Sequence, residues 1–385
     1  MKYKLAVSSW GDEEIKAIQD VVDSNQFSMG PKVAQYEKEF ASFFGSNYAV
    51  MCSSGSTANL LMIAALFYTK KPKLKRGDEI IVPSVSWSTT YFPLQQYGLK
   101  LKFVDIDIHT LNYNLEDLKN AITESTKAIM AVNLLGNSND FTTILSIING
   151  RNIILIEDNC ESMGAKLNNK FTGTFGLMGT FSSFFSHHIS TMEGGMVLTD
   201  DEELYHVLLC LRAHGWSRNL PRINHVSNKS DDFFTESFRF LLPGYNVRPL
   251  EMSGSIGLEQ LKKLPYFIER RRENAELFIS LFENDKRFII QKEIGESSWF
   301  GFSLIIKDNS ERKTILKKLS DSNIDTRPIV TGDFTKNDVM KYFDYTIYSK
   351  LKNTQILHSK GFFVGNGHID LSNELRFLKS VIDEI

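Results

Sequence analysis

The order of apolar and polar residues in the first 250 positions predicts alternating helices and strands. Apolar residues return at helical spacing after an acidic stretch at residues 12–14, and Pro31 opens a second helical pattern. Short apolar runs bounded by polar residues predict five strands, at residues 48–52, 79–82, 102–104, 128–132 and 153–156. Because these runs are continuous rather than alternating, both faces of each strand should be covered, as in a largely parallel α/β sheet.

The pattern changes after Pro249. The later elements are a long charged helix, a strand and a second helix, predicted over residues 264–284, 300–306 and 310–321, and then a helical C-terminus. They indicate a smaller domain of mixed helices and strands. We therefore predict a large α/β domain over residues 1–255 and a small α+β domain over residues 256–385.

The composition narrows the classes of function. The chain is 42% hydrophobic and 23% charged, with a net charge of −2, so it offers no basic field for nucleic acid or a membrane surface. Cys52, Cys160 and Cys210 are far apart and lack metal-ligand spacing, so we expect no metal site and no disulfide framework. The N-terminus lacks the apolar core of a signal peptide, and the run at 60–67 is too short to cross a bilayer, so we expect a cytoplasmic protein.

The segment SSGSTANL, at residues 53–60, has the features of a phosphate-binding helix start. The first N–H groups of a helix have no intrahelical partner, and Ser56 and Thr57 add hydroxyl groups beside them. Gly55 allows the backbone to approach a ligand closely. An ordinary helix N-cap has the same pattern, so this segment alone leaves both interpretations open.

Asp158 ends the apolar run IILIED and is therefore predicted at the carboxyl edge of the sheet, where α/β proteins bind ligands. A carboxylate at that place can keep the ring nitrogen of a heteroaromatic cofactor protonated. A helix-capping or surface aspartate is the alternative interpretation.

The segment GTFSSFFSHHISTMEGGMVLTD, at residues 179–200, contains the most specific motif of the chain. It resembles the DegT/DnrJ/EryC1/StrS sugar aminotransferase family. In that family a serine precedes the cofactor-linked lysine by five residues, and a Glu-Gly-Gly begins six residues after the lysine. Ser182 and Glu193 occupy these two positions here, and counting from either one places His187 where the family has lysine.

The resemblance covers nearly the whole chain and implies a fold and a cofactor. The fold is that of the type I, aspartate aminotransferase-like, pyridoxal-phosphate-dependent transferases, with a large mainly parallel-sheet domain and a smaller α+β domain. The cofactor is pyridoxal or pyridoxamine 5′-phosphate, with its ring nitrogen paired to Asp158 and its ring stacked on Trp87. The residues that the resemblance places around the cofactor phosphate are Gly55, Ser56, Thr57 and Ser182.

Two further positions follow from the resemblance. Asn246, in GYNVRP, would reach the phosphate from a second subunit, which implies a homodimer with shared active sites. Glu161 stands where the family usually has a glutamine near the phenolic oxygen of the cofactor. This difference leaves the role of Glu161 open.

Histidine in place of lysine changes the chemistry. A lysine amine bonds covalently to the cofactor aldehyde, whereas an imidazole forms no such stable link but transfers protons near neutral pH. The flanking segments resemble a branch of the family that removes the C3 hydroxyl of a GDP-linked 4-keto-6-deoxy sugar for colitose and O-antigen synthesis. In that branch L-glutamate restores the amine form of the cofactor, and ammonia and 2-oxoglutarate are released. The spacing favours His187 over His188 as the acid/base residue.

Two alternatives remain open at this point. The chain could be an aminotransferase whose lysine was replaced by histidine, or a catalytically silent member of the fold that serves as a binding partner. Polar residues near the predicted site are weaker candidates for substrate contact: His188, His214, Arg218, Arg248 and Arg327.

Overall fold

Helices and strands alternate along the chain as the apolar pattern predicts. The computed structural model describes residues 2–307 and 311–385, which contain twelve α-helices and fourteen strands. The helices are α1 (Asp12–Ser24), α2 (Pro31–Phe44), α3 (Gly55–Phe67), α4 (Ser88–Gln96), α5 (Leu115–Ala121), α6 (Phe141–Ile148), α7 (Glu202–Arg212), α8 (Phe233–Ser237), α9 (Glu251–Phe282), α10 (Arg312–Asp321), α11 (Lys352–Lys360) and α12 (Ser372–Asp383). The strands are β1 (Tyr48–Cys52), β2 (Glu79–Pro83), β3 (Lys100–Val104), β4 (Thr126–Val132), β5 (Ile154–Asp158), β6 (Lys166–Leu167), β7 (Lys170–Phe171), β8 (Met178–Ser182), β9 (Gly195–Thr199), β10 (Phe288–Ile290), β11 (Gly301–Ile306), β12 (Thr326–Arg327), β13 (Tyr345–Ile347) and β14 (Gly361–Gly365).

The large sheet has the strand order β1-β9-β8-β5-β4-β2-β3-β13. Five of its seven pairings are parallel, which confirms the predicted α/β sheet, and β9 runs antiparallel to both β1 and β8. Since two antiparallel steps restore the direction, β1, β8, β5, β4 and β2 all end at the same edge. The five strands predicted from the apolar runs all lie in this sheet. Residues that follow them are therefore brought together at one edge.

The core covers both faces of the large sheet. Helix α3 is apolar on all sides, and nine of its thirteen residues are buried. Such a helix is stable only inside a protein, because it has no polar face to present to water. The body of α3 is fixed in the core, and its N-terminus lies at the edge of the sheet because α3 begins directly after β1.

The later part of the chain forms a second, four-stranded sheet with the order β10-β11-β14-β12. Its core includes residues of α9, α10 and α12. The chain crosses between the two sheets more than once, because β13 pairs with β3 of the large sheet and Tyr3 bridges to Ile324. The division at residue 255 proposed from the sequence falls inside α9, and β13 lies in the large sheet although its residues follow that division.

The start of α9 differs from the prediction. The charged pattern placed this helix at residues 264–284, whereas it begins at Glu251 and continues through Pro265. Two glycines in its first turns lower the helix propensity of this segment, so the sequence pattern does not indicate a helix there. Both glycines are required by packing against α2. A Cβ at Gly254 would lie 2.7 Å from the Cα of Val33, and one at Gly257 would lie 2.6 Å from the Tyr36 ring. Helix contact thus overrides low helix propensity.

The remaining boundaries agree within a few residues. Helix α10 begins at Arg312, and Ser310, where it was predicted to begin, lies outside the described residues. No helix in the described part of the chain is long and apolar enough to cross a membrane.

Candidate active site

A cavity of about 370 Å³ opens at the edge where β1, β2, β5 and β8 end. Its walls are formed by the loops that follow these four strands. Seven residues that the sequence singles out line it: Gly55, Ser56, Trp87, Asp158, Glu161, Ser182 and His187. The fold therefore brings together residues that are up to 132 positions apart in the sequence.

The start of α3 forms one end of the cavity. The Ser54 hydroxyl accepts a hydrogen bond from the Thr57 N–H at 3.2 Å, and the Ser54 N–H donates to Thr57 Oγ1 at 3.0 Å. These reciprocal bonds leave the N–H groups of Gly55 and Ser56 ahead of the first intrahelical bond. The Thr57 hydroxyl is thus used inside the turn, and Thr57 does not line the cavity.

Close packing at Gly55 shapes this end for a small anion. A Cβ on Gly55 would lie 2.6 Å from the Ser182 Cβ and 3.0 Å from the Cys160 Sγ, so only glycine fits. The Ser56 hydroxyl donates to Thr89 Oγ1 at 3.1 Å, which ties the helix start to the loop carrying Trp87. The N–H groups of Gly55 and Ser56 and the Ser182 hydroxyl suit a phosphate. The residues present therefore fit the phosphate of the expected cofactor.

Asp158 is held at the centre of the edge by groups that the sequence analysis missed. Its Oδ2 accepts from Asn59 Nδ2 at 2.8 Å and from Thr90 Oγ1 at 2.7 Å, and Oδ1 accepts from the Cys160 N–H at 3.2 Å. Asn59 is in turn fixed by Thr180, whose hydroxyl donates to its Oδ1 at 2.7 Å. Asn59 was detectable, because it is the polar residue in the apolar run ANLLMIAALF and a buried amide needs partners.

His187 lies on a loop whose ends are joined by hydrogen bonds. The Ser183 N–H donates to the Gly194 carbonyl and the Thr191 N–H donates to the Ser183 carbonyl, each at 2.9 Å. The Phe300 ring packs edge-on against the imidazole with 5.1 Å between centroids. A side chain held in this way faces the cavity in a restricted orientation.

The imidazole of His187 is neutral in this environment. Burial lowers the pKa of His187 to about 4. Its Nδ1 is buried and has no hydrogen-bond partner among the described residues. The site therefore holds an uncharged imidazole that has backbone contacts at Cys160 and Ser182 and whose Nδ1 has no partner in the described part of the chain.

His188 points away from the cavity. It is almost fully buried, and its Nε2 lies 3.1 Å from the Ser298 carbonyl oxygen, where a protonated Nε2 donates. Burial lowers the pKa of His188 well below its usual value. His188 thus attaches the His187 loop to the segment before β11, and it does not line the cavity.

Three of the weaker candidates gather around Trp216. The His214 ring lies 4.7 Å from the Trp216 ring, and the guanidinium groups of Arg218 and Arg248 lie 4.8 Å and 6.0 Å from it. None of the three lines the cavity of its own chain. Arg327 is exposed on β12, away from this group and outside the cavity lining.

Asn246 is exposed and does not line the cavity of its own chain. Its Oδ1 accepts from Arg248 Nε at 3.0 Å. The backbone beside it is attached to the phosphate-binding loop, because the Ser53 N–H donates to the Val247 carbonyl at 3.0 Å. The predicted contact of Asn246 with cofactor phosphate is therefore not made within one chain.

The chain matches one known protein family over most of its length. The model of the DegT/DnrJ/EryC1/StrS aminotransferase family matches residues 8–369. The chain is 65% identical over 386 residues to the GDP-4-keto-6-deoxy-D-mannose 3-dehydratase of Escherichia coli O55:H7 (strain CB9615 / EPEC), covering 99% of this chain and 100% of that protein.

Two solved structures are similarly close. One is GDP-4-keto-6-deoxymannose-3-dehydratase with a trapped PLP-glutamate geminal diamine, at 65% identity and a TM-score of 0.98, covering 99% of this chain and 100% of that one. The other is a variant of ColD in which a histidine is changed to lysine and the serine directly before it to asparagine. It is 64% identical, with a TM-score of 0.97, and covers 98% of this chain and 100% of that one.

Proposed function

The chain belongs to the DegT/DnrJ/EryC1/StrS aminotransferase family, and we propose that it acts in that family as a 3-dehydratase of GDP-4-keto-6-deoxy-D-mannose. The observation that carries this proposal is a neutral imidazole, His187, in the cavity at the position of the family lysine. The sugar loses its C3 hydroxyl, L-glutamate is oxidised to 2-oxoglutarate and its nitrogen leaves as ammonia. The product is GDP-4-keto-3,6-dideoxy-D-mannose, for colitose and O-antigen synthesis in the cytoplasm.

Different residues of the cavity would bind different parts of the cofactor. When bound, pyridoxamine phosphate supplies an amine for the sugar ketone and a protonated ring that acts as an electron sink. The N–H groups of Gly55 and Ser56 and the Ser182 hydroxyl would bind its phosphate. Trp87, with 57% of its surface exposed, offers a ring face for stacking. Asp158 would keep the ring nitrogen protonated, because its carboxylate stabilises the positive charge.

His187 performs the proton transfers in this proposal. Its neutral imidazole takes a proton from the carbon that bears the cofactor amine, and the resulting imidazolium protonates the C3 hydroxyl as it leaves. Edge-on packing by Phe300 fixes the plane of the ring. No residue of this loop offers an amine, so the protein cannot tether the cofactor covalently there.

The similar proteins support the interpretation that His187 is the native residue, rather than a histidine that replaced a native lysine. In the solved ColD variant, the histidine that was changed to lysine directly follows a serine. This chain contains one Ser-His pair, Ser186–His187, whereas His188 follows another histidine. The pair supports His187 as the corresponding position, and it supports dehydration rather than amine transfer.

Product analysis tests the proposed reaction. We expect the purified enzyme with pyridoxamine phosphate, L-glutamate and GDP-4-keto-6-deoxymannose to give a sugar nucleotide lighter by one oxygen atom, together with ammonia and 2-oxoglutarate. Borohydride should leave no cofactor bound covalently to the native protein, whereas His187→Lys should be labelled, because only an amine forms the reducible link. Labelled native protein, or an aminated sugar as the product, would contradict the proposal.

The homodimer with shared active sites is part of the same proposal. The rings of Phe238 and Phe240 lie 6.1 Å and 5.9 Å from the Trp216 ring and are 67% and 58% exposed in the single chain. Three apolar side chains in the preceding stretch of sequence are each at least 85% exposed: Ile223, Phe233 and Phe234. Exposed apolar surface of this kind marks protein interfaces. A second copy on this face would cover it and would allow Asn246 to reach a phosphate outside its own chain.

Mixing two inactive variants tests the sharing of sites. We expect Asn246→Asp to be nearly inactive, because its carboxylate would repel the phosphate of the neighbouring site. Co-expression of Asn246→Asp with His187→Asn should restore about a quarter of wild-type activity, since half of the random dimers then hold one intact site. A mixture no more active than its parents would exclude a site built from two subunits.

A further inference from the structure

The loop at residues 183–194, which carries His187, is attached on one side by side chains of distant segments. Both backbone groups of Ser190 take part: its N–H donates to Gln260 Oε1 at 2.9 Å, and its carbonyl accepts from Trp10 Nε1 at 3.0 Å. Ser190 is buried, so these groups are shielded from water, and a buried peptide group without a partner costs free energy. The two side chains therefore hold the loop three residues after His187.

Gln260, on α9, is fully buried, and its amide uses its whole hydrogen-bonding capacity. Oε1 accepts from the Ser9 hydroxyl at 2.7 Å as well as from the Ser190 N–H. Nε2 donates to the Ser9 carbonyl at 3.0 Å and to Glu14 Oε1 at 2.7 Å. Because a carboxylate only accepts hydrogen bonds, Glu14 fixes the amide with Nε2 toward itself and Oε1 toward Ser190.

Glu14, in the first turn of α1, is fixed from two further sides. The Gly11 N–H donates to its Oε2 at 2.7 Å, and Lys263 Nζ donates to the same carboxylate at 2.8 Å. The lysine compensates the charge of this fully buried carboxylate, which would otherwise be costly. A continuous series of hydrogen bonds thus runs from Lys263 through Glu14 and Gln260 to the backbone of the loop.

The base of the loop is closed without Gln260. The Ser183 and Thr191 hydroxyls lie 2.6 Å apart, and the Thr191 N–H donates to the Ser183 carbonyl at 2.9 Å. Ser182, at the phosphate end of the cavity, directly precedes this closure. Loss of Gln260 should therefore release the part of the loop that carries His187 and leave the phosphate end in place.

We propose that Gln260 is a positioning residue for the reaction: through Ser190 it holds the loop so that the His187 imidazole lies within reach of the proton that it transfers. The inference rests on the proposed function for the role of His187. Proton transfer requires about 2.6–3.2 Å between heavy atoms, and a displacement of about 1 Å can lower a rate by about 10²-fold. Because no covalent bond to the cofactor holds this loop in the proposed function, its position depends on such contacts. Gln260 itself does not line the cavity.

Gln260→Leu removes these hydrogen bonds at a similar side-chain size. We expect kcat for 2-oxoglutarate release to fall by about tenfold to 10²-fold. The KM for the keto-sugar and the affinity for pyridoxamine phosphate should stay within about twofold of wild type, since an interaction needed only for the chemical step is lost.

Gln291→Leu is the matched control. Gln291 is also buried, and it donates to the carbonyls of Thr110 and Leu134, which lie outside the cavity lining. Its replacement should lower the melting temperature, as Gln260→Leu does, because buried hydrogen bonds are lost in both. In the control, kcat should stay near wild type.

A double-variant cycle with His187→Asn separates positioning from general damage to the site. A residue that acts through His187 has nothing left to position once the imidazole is gone. Gln260→Leu should therefore change the residual rate of His187→Asn by less than about twofold. A residue that only stabilises the fold would lower the rate by the same factor in both backgrounds.

The pair Gln260→Glu and Glu14→Gln tests the orientation of the amide. Gln260→Glu keeps an acceptor for the Ser190 N–H but places two carboxylates against each other, so kcat should fall at least about tenfold. Adding Glu14→Gln returns a donor between the two side chains, and its amide oxygen still accepts from Lys263. The double variant should recover to within about threefold of wild type. Both variants lose the bond to the Ser9 carbonyl, so that loss cancels in the comparison.

Equal factors for Gln260→Leu in the native and His187→Asn backgrounds would overturn the inference and leave the proposed function intact. A Gln260→Glu variant that Glu14→Gln does not rescue would do the same, and this pair keeps the buried site polar if Gln260→Leu does not fold. If His187→Asn kept the wild-type rate, the proposed function would fail, and the inference with it.

Discussion

Replacement of His187 by asparagine is expected to lower the rate of sugar dehydration by about 10²–10⁴-fold, the usual contribution of a positioned acid/base group. Asparagine keeps the polarity and approximate size of the imidazole but accepts no proton. Burial lowers the pKa of His187 to about 4, so the proton-accepting form is present at neutral pH and is lost in the variant. The measurement is the rate of 2-oxoglutarate release with a saturating keto-sugar, after cofactor content has been matched by absorbance.

The neighbouring histidine provides the control for this prediction. His188→Asn removes the contact with the Ser298 carbonyl and leaves the cavity lining unchanged. We expect a lower melting temperature and a fall in rate of less than about tenfold, as for a buried side chain that acts on stability. If the rate of dehydration fell strongly in His188→Asn and only slightly in His187→Asn, the assignment of His187 from its spacing would be wrong.

Replacement of Asp158 by asparagine is expected to lower the rate by roughly 10²–10³-fold, the loss typical of removing one electrostatic partner from a water-excluded site. The amide oxygen can still accept from Asn59 and Thr90, whereas the amide nitrogen takes the place of Oδ1, loses the hydrogen bond from the Cys160 N–H and offers the cofactor ring a donor instead of a negative charge. A donor there disfavours a protonated ring, so the electron sink is weakened. The visible spectrum of the bound cofactor, recorded across pH, should show a lower pKa for the ring nitrogen in the variant.

Asp201→Asn is a matched control for the loss of one carboxylate. Asp201 accepts the Leu204 N–H at the start of α7, and it does not line the cavity. Asparagine caps helices about as well as aspartate, so rate and spectrum should both remain near wild type. If Asp158→Asn dehydrated the sugar at the wild-type rate, protonation of the cofactor ring would not depend on this carboxylate.

The sequence by itself determined the chemistry at single positions. The apolar runs predicted five strands of the large sheet, because a strand that is covered on both faces needs a continuous apolar segment whatever its neighbours are. The distances from Ser182 and Glu193 placed a histidine at the lysine position, since spacing along one loop is a local property. Asp158 was predicted at the carboxyl edge for the same reason.

Only the tertiary structure decided which distant groups surround these positions. Asn59 and Thr90 hold Asp158, and Phe300 packs on His187 from more than 110 residues away. The insertion of β9 between β1 and β8, and the start of α9 at Glu251, were also invisible in the local pattern. Strand order and helix contact depend on packing between segments that are far apart in the chain, and local periodicity carries no information about such contacts.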